Sequence, residues 1–535
     1  MSRFIAFAFF LCLSAQGSQA ATSKLRSAVG TNLDAVTYWS TEVPFVDVMK
    51  SSGQWISGDK TQWDNKQRLD LDADGWVRSL APGQVARMLT LREIGEHYPA
   101  GRYLVRYKGQ GIIKFEYAAR VVSQQPGEIL LQVAPQNGGV SMVIEATNPA
   151  DYLRDIEITM PGGICEGDPF VHVRNAQQCG GRRFLSFADH AKEIIFYPVF
   201  LDRLRNYSVL RYINWMQTNN SPIANWSQRT SQTARTWTVT SGVPIEILIE
   251  LANRIVAHPW FTLPHKADHT YVRNFARIVK ARLNPDLLVY VEHSNEVWNS
   301  QFAQNAYATQ KAATQVPPID QIQYHALRSR TLGGIFKEEL GSLRVVAVLG
   351  AQAGNIGTAR IALDYLKSRF NGSLGVDALA IAPYFAVTPR PSESATYTAM
   401  TLDALFALVH AKVLPGVTAT LKNYRGLAKA NNLPLIAYEG GQHLVGIQGA
   451  ENNAELTAIF LAFNRDPRIK QLYLEYLANW KQAGGELFVH YHDVGRFGKW
   501  GSWGALEYVD QARSSAPKFD ALQMFIEQNP VWWPQ

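Results

Sequence analysis

The sequence predicts an α/β protein: a (β/α)8 barrel with an additional antiparallel, β-sandwich-like module in its N-terminal third. Three observations lead there. Beyond about residue 195, apolar runs alternate with amphipathic helical stretches such as "EILIELANRIV" and "AELTAIFLAF". The runs are apolar throughout rather than alternating, which suits a parallel sheet covered on both faces. From about residue 60 to 160 the texture differs, with short alternating segments separated by turn residues, as antiparallel strands require.

The elements follow in order. Residues 1–20 hold Arg3, an apolar run from Phe4 to Leu13, and small residues leading to Ala20. That pattern reads as a signal peptide cleaved near Ala20, so a secreted or periplasmic protein is expected. The run is about half the ~20 residues needed to cross a bilayer, and no transmembrane anchor is expected. Residues 21–59 contain "VGTNLDAV", a candidate first barrel strand with a helix to follow. Residues 60–160 form the β-rich module, with "RYLVRYKG", "GIIKFEYAARVV", "GEILLQVAP" and "VSMVIEAT" as strands. If "VGTNLDAV" opens the barrel, the module is inserted after it. If "YLRDIEITMPG" opens the barrel, the module is N-terminal; the sequence leaves both readings open.

Residues 161–535 then carry the catalytic barrel. Cys165 and Cys179 are an even pair in an exported chain, once Cys12 has left with the signal, and they predict a disulfide. Seven further strand candidates follow: "YSVLRYINW", "PWFTLPH", "LLVYVEHSNE", "LRVVAVLGAQ", "DALAIAPYF", "LPLIAYEGGQH" and "GELFVHYHD". Several end in polar or aromatic residues. Arg211 follows "SVL", Glu296 follows "HSN", Tyr384 follows "AIAP" and Glu439 follows "LIAY"; His490, Tyr491 and His492 close the last strand. In such barrels the C-terminal strand ends and the loops after them form the active-site face. Two carboxylates on different strand ends, Glu296 and Glu439, suit glycoside cleavage. One protonates the leaving oxygen while the other attacks the sugar.

"SNEVWN" after the fourth strand and "IAYEGG" after the seventh resemble clan A glycoside hydrolases, the cellulase, mannanase and β-glycosidase superfamily, in a divergent branch. The resemblance implies Glu296 as acid/base and Glu439 as nucleophile of a retaining enzyme acting on a β-type bond. It further implies Arg211 as holder of the nucleophile, Asn295 as a ligand of the sugar 2-hydroxyl, and Tyr384 as a neighbour of the nucleophile. Val297 stands where many members have Pro or Leu, and Trp500 and Trp503 are both candidates for the strand-eight tryptophan. Trp503 is the one taken as substrate-binding.

Trp260 and His265, where the third strand should end, are further candidates for sugar contact, because an indole face stacks on sugar C–H surfaces. His293 is expected to be hydrogen-bonded beside the pocket. No cofactor or metal is expected: there is no HExxH, and His and acid spacings match no ligand set. A net charge of +7 without Lys/Arg runs gives no sign of a polyanion, and no nucleic-acid partner is expected. The absence of Gly-x-Ser-x-Gly weighs against an esterase. The expected partner is a poly- or oligosaccharide, met by a monomer. The alternative is an exported carbohydrate-binding barrel without turnover.

Overall fold

The computed structural model describes residues 24–535, so the expected signal peptide lies outside the described residues. Eight parallel strands close into a barrel in chain order. They are β1 (Val29–Asn32), β2 (Val209–Arg211), β3 (His258–Leu263) and β4 (Val289–His293), then β5 (Val345–Gly350), β6 (Ala378–Ile381), β7 (Leu435–Ala437) and β8 (Phe488–His490). Every residue of β1 to β4 is buried, which is why these segments are apolar on both faces. The interior is filled by Trp260, Tyr290, Val348, Ala380, Ile436, Tyr438 and Val489. Each large apolar side chain so buried contributes about 1.5–3 kcal/mol.

"VGTNLDAV" opens the barrel. Thr31 pairs with Leu210 of β2 and Val29 with Phe488 of β8, so β1 closes the ring from both sides. Gly30 is required there, because a Cβ would stand 2.7 Å from the Val209 carbonyl oxygen. "YLRDIEITMPG" lies instead in the module, where Arg154–Thr159 pairs antiparallel with Gly101–Lys108. The expected helix after β1 does not form. Residues 33–55 run as loop, with a single 3-10 turn at Val48–Ser51 capped by Asp47.

The module comprises two four-stranded antiparallel sheets spanning Ile56 to Thr159. Their alternating positions, among them Met88, Tyr103, Val105, Ile129, Leu131, Met142 and Ile158, are buried. Asp47 ties the module to the β1 loop, its Oδ1 accepting from Ile158 N at 2.9 Å and Met49 N at 3.1 Å. Burial pushes the Asp47 carboxyl up to about 6. Arg235, in the loop after β2, donates to Ser52 Oγ and Gly53 O and lies over the Trp55 ring. A further three-stranded antiparallel sheet, between Gly163 and Ser186, precedes β2. It carries the Cys165–Cys179 disulfide. The first α-helix among the described residues, Phe187–Ile194, follows this sheet.

Among the described residues one helical segment, Leu402–Ala430, is long enough to cross a membrane and contains an 18-residue stretch apolar enough to do so. Its Leu405, Phe406, Val409, Leu414 and Leu421 are buried in the barrel's outer layer, while Asp403, His410, Lys412 and Pro415 are exposed.

The disulfide yields a prediction. It closes a loop across a sequence separation of 14 residues, which corresponds to about 3 kcal/mol of loop-closure entropy removed from the unfolded chain. Thiol titration of the denatured, unreduced protein lacking residues 1–20 should find no free cysteine. Reduction should lower the unfolding free energy by about 2–4 kcal/mol in urea titration. Two titratable thiols before reduction would contradict the assignment.

Candidate active site

The site is built around a guanidinium that water does not reach. Arg211 ends β2 and is 0% exposed. A buried cation is tolerated only when paired and fully hydrogen-bonded. Arg211 meets that demand with all five of its N–H groups. Nε donates to Glu292 Oε2 at 2.9 Å and Nη2 to Glu292 Oε1 at 3.1 Å, a forked pair. Nη2 also donates to Asn295 Oδ1 at 2.9 Å. Nη1 donates to Glu439 Oε1 at 2.8 Å and to Asn32 Oδ1 at 3.1 Å. The Tyr438 ring lies 4.9 Å from the guanidinium carbon and the Trp260 ring 5.7 Å. Burial alone would lower the Arg211 pKa, but Glu292 and Glu439 outweigh it and the net shift is upward.

Glu439 stands two residues beyond β7. Its Oε2 accepts from the Tyr384 hydroxyl at 3.0 Å, so both carboxylate oxygens are held. Two glycines follow because the chain must turn against packed rings. A Cβ on Gly440 would meet Phe488 at 2.5 Å, and Gly441 has φ +135°. Burial raises the Glu439 pKa to about 7; Arg211 and Tyr384 pull it down and Glu296 pushes it up. Burial is the largest of these effects and sets the direction.

Glu296 follows β4 on a tight loop. Ser294 (φ 57°) and Glu296 (φ 40°) both occupy the left-handed region, a backbone strain of about 1–3 kcal/mol each that surrounding bonds must hold. Ser294 N donates to Leu263 O at 2.8 Å, and Gln304 Nε2 donates to Asn295 O at 2.8 Å. The Glu296 carboxylate accepts from the Tyr438 hydroxyl at 3.2 Å and from Asn299 Nδ2 at 3.1 Å. Asn295 donates onward to Asn219 Oδ1 at 3.1 Å. The protein thus brings Arg211, Asn295, Glu296, Tyr384 and Glu439 together.

Half-buried aromatic rings continue outward from Tyr384, the hydroxyl partner of Glu439. Tyr491 stacks edge-on to Tyr384 at 6.4 Å and to Trp503 at 6.1 Å, and His443 lies 5.4 Å from Tyr384. Trp503 Nε1 donates to His443 Nδ1 at 3.1 Å. Trp503 therefore sits in this ring, while Trp500 is 66% exposed beneath Lys499.

Two expected sugar contacts require correction. Trp260 has no exposed face; it stacks on Tyr290 inside the barrel and donates Nε1 to Glu292 Oε2 at 2.8 Å. It supports the carboxylate from below and offers no platform. His265 is also buried, 5.2 Å from Tyr307, with its pKa lowered to about 4 by burial. No sugar reaches its ring. His293 is buried, with Nδ1 3.0 Å from His325 Nδ1. Because His325 Nε2 faces the Gly350 carbonyl and must donate to it, a neutral His325 accepts at Nδ1 and His293 donates there.

The sequence reading missed Asn32, Glu292, Asn299, Tyr438 and His443. Asn32 Nδ2 bridges the Tyr438 and His490 carbonyls at 3.1 and 3.2 Å, tying β1 to β7 and β8. The signal for Asn32 and Glu292 was present: each is a polar residue at the C-terminal end of a buried barrel strand.

No family model matches the chain, and no curated protein is found similar to it. Solved structures are. One, from a study of two fungal β-1,4-galactanases, shares 11% identity over 61% of this chain and 91% of that chain, at a TM-score of 0.37. The xylanase 10B of Thermotoga petrophila RKU-1 in complex with xylobiose shares 9% over 61% and 88%, at 0.33. The CBM22-1–GH10 modules of the Clostridium thermocellum N-terminal endo-1,4-β-D-xylanase 10B share 9% over 91% and 95%, at 0.36. Likeness at these identities and scores speaks to neither the activity nor the substrate of this chain.

Because five bonds converge on Arg211, its replacement has a structural cost. Arg211→Lys keeps the charge but offers at most three donors, leaving two acceptors unpaired. Urea unfolding should show a loss of about 2–4 kcal/mol. Wild-type stability would contradict the network.

Proposed function

We propose that the protein is an exported, retaining glycoside hydrolase that cleaves a β-type bond in a poly- or oligosaccharide. The observation that carries this reading is the pair of differently held carboxyls at the ends of β4 and β7. Glu439 is clamped by Arg211 and Tyr384, as a nucleophile must be to stay aimed. Glu296 is partly exposed and held by hydroxyl and amide donors without a cation, as a group that gives and takes a proton should be.

In the first step Glu439 forms a bond to the anomeric carbon, and the glycosidic C–O bond breaks. The leaving oxygen takes its proton from Glu296. In the second step Glu296, now ionised, removes a proton from water, whose oxygen attacks the same carbon and displaces Glu439. Two inversions return the original configuration. Asn295, fixed by Arg211 and Asn219, stands beside Glu296 to receive a sugar hydroxyl. Tyr491, Trp503 and His443 supply ring faces and a polar edge near Glu439.

Digestion of a polysaccharide panel should release reducing ends, and proton NMR of the first-formed sugar should show the retained anomer. Glu439→Ala should abolish turnover, with azide giving the inverted glycosyl azide. Glu296→Ala should still react with substrates bearing good leaving groups, and azide should then give the retained product. An inverted product from the wild-type protein would rule out the double displacement. Loss of turnover from neither variant would rule out both assignments.

The pH dependence follows from Glu439. Attack requires the carboxylate, and its pKa is raised to about 7, so the competent form is lost as pH falls through that value. kcat/KM should therefore decline by about tenfold per unit on the acid side of pH 7. A profile flat down to pH 5 would show that Glu439 titrates elsewhere.

A further inference from the structure

The Arg211 guanidinium serves two carboxylates, and the division is unequal. Glu292 takes Nε and Nη2 in a forked pair, while Glu439 receives one bond from Nη1, a nitrogen that also serves Asn32. Glu292 is 2% exposed and lies within β4, so no sugar reaches it. Its Oε2 accepts a further bond from the buried Trp260 indole. A buried charge this thoroughly held is costly to retain unless it sets something else in place.

Resting on the reading of Glu439 as nucleophile, we propose that Glu292 is a positioning residue that competes for Arg211. It fixes the guanidinium plane so that a single N–H faces Glu439, leaving the nucleophile aimed but incompletely neutralised.

The chemistry favours such a device. A carboxylate locked in a full arginine fork is stabilised as the anion and is correspondingly slow to share electrons with an anomeric carbon. One shared N–H keeps direction and gives up part of the neutralisation. The groups facing Glu439 are Arg211 from β2, Glu296 from the loop after β4, Tyr384 after β6, Tyr438 beside it and Tyr491 after β8. Arg211 is the cation among them, so the way Arg211 divides its charge governs Glu439. The value of about 7 fits a carboxylate with half a partner.

The test is a glutamate titration by carbon-13 NMR, with side-chain carboxyl labels and the Glu439 signal identified by its loss in Glu439→Gln. In the wild-type protein that signal should titrate near 7. In Glu292→Gln, Arg211 turns its charge to Glu439, and the midpoint should fall by about one unit or more, a tenfold or larger change in the acid constant. Glu292→Asp retains the charge with a shorter reach, and its midpoint should lie between those two. If the amide introduced by Glu292→Gln clashes with the indole N–H and prevents folding, combining it with Trp260→Phe removes the clash, and the same fall is expected. A midpoint unmoved or raised in a folded Glu292→Gln protein, or in the double variant, would overturn the proposal. The titration needs no substrate. A failure to cleave any glycan would therefore count against the proposed function and leave this result standing, and the reverse also holds.

Discussion

A single buried guanidinium holds four strands of the barrel in relation to one another. Arg211 of β2 bonds Asn32 of β1, Glu292 of β4, Asn295 after β4 and Glu439 after β7. Asn32 passes the connection to β8 through the His490 carbonyl. Such a cation inside a low-dielectric barrel would be strongly destabilising if any of these acceptors were missing, so the network and the closed sheet require each other. The carboxylates are also more numerous than the cation. Glu292 and Glu439 share Arg211 while Glu296 stands nearby without a cation, and burial, with the Glu296 charge adding to it, lifts Glu439 toward neutrality.

Much of the fold was legible in the sequence, for a clear physical reason. A parallel strand covered on both faces must be apolar throughout, so "LLVYVEH" and "LPLIAYE" announce themselves, and polar residues at their ends mark the mouth. Arg211, Glu296, Tyr384 and Glu439 were singled out this way, and Asn295 through the resemblance of its Asn-Glu motif. The same rule misled at Trp260. A tryptophan near a strand end fits either an open platform or the barrel interior, and one position along a strand separates the two. His265 failed similarly, because nothing local distinguishes a loop histidine facing the mouth from one folded under it.

Other residues stayed hidden because their partners are remote. Glu292 reads alone as a polar interruption of a strand; its meaning needs Arg211, 81 residues away, and Trp260. Tyr438 reads as core, and its ring is core, yet its hydroxyl reaches Glu296 across 142 residues. The missing helix after β1 has a more local cause. The stretch "TEVPFVDVMKSSGQ" has Pro44 and a capping Asp47 but too few turns before Gly53 to sustain a helix.

The placement of β1 has a consequence for how the chain reaches this structure. Its bonds to the two neighbouring strands span 179 and 458 residues, so β1 can meet β2 early, but the ring closes onto β8 only after nearly the whole chain is available. Contacts of such sequence separation carry a high loop-closure cost and slow folding. The module, whose strands pair with near neighbours, can form early and stand as a folded unit while the barrel remains open.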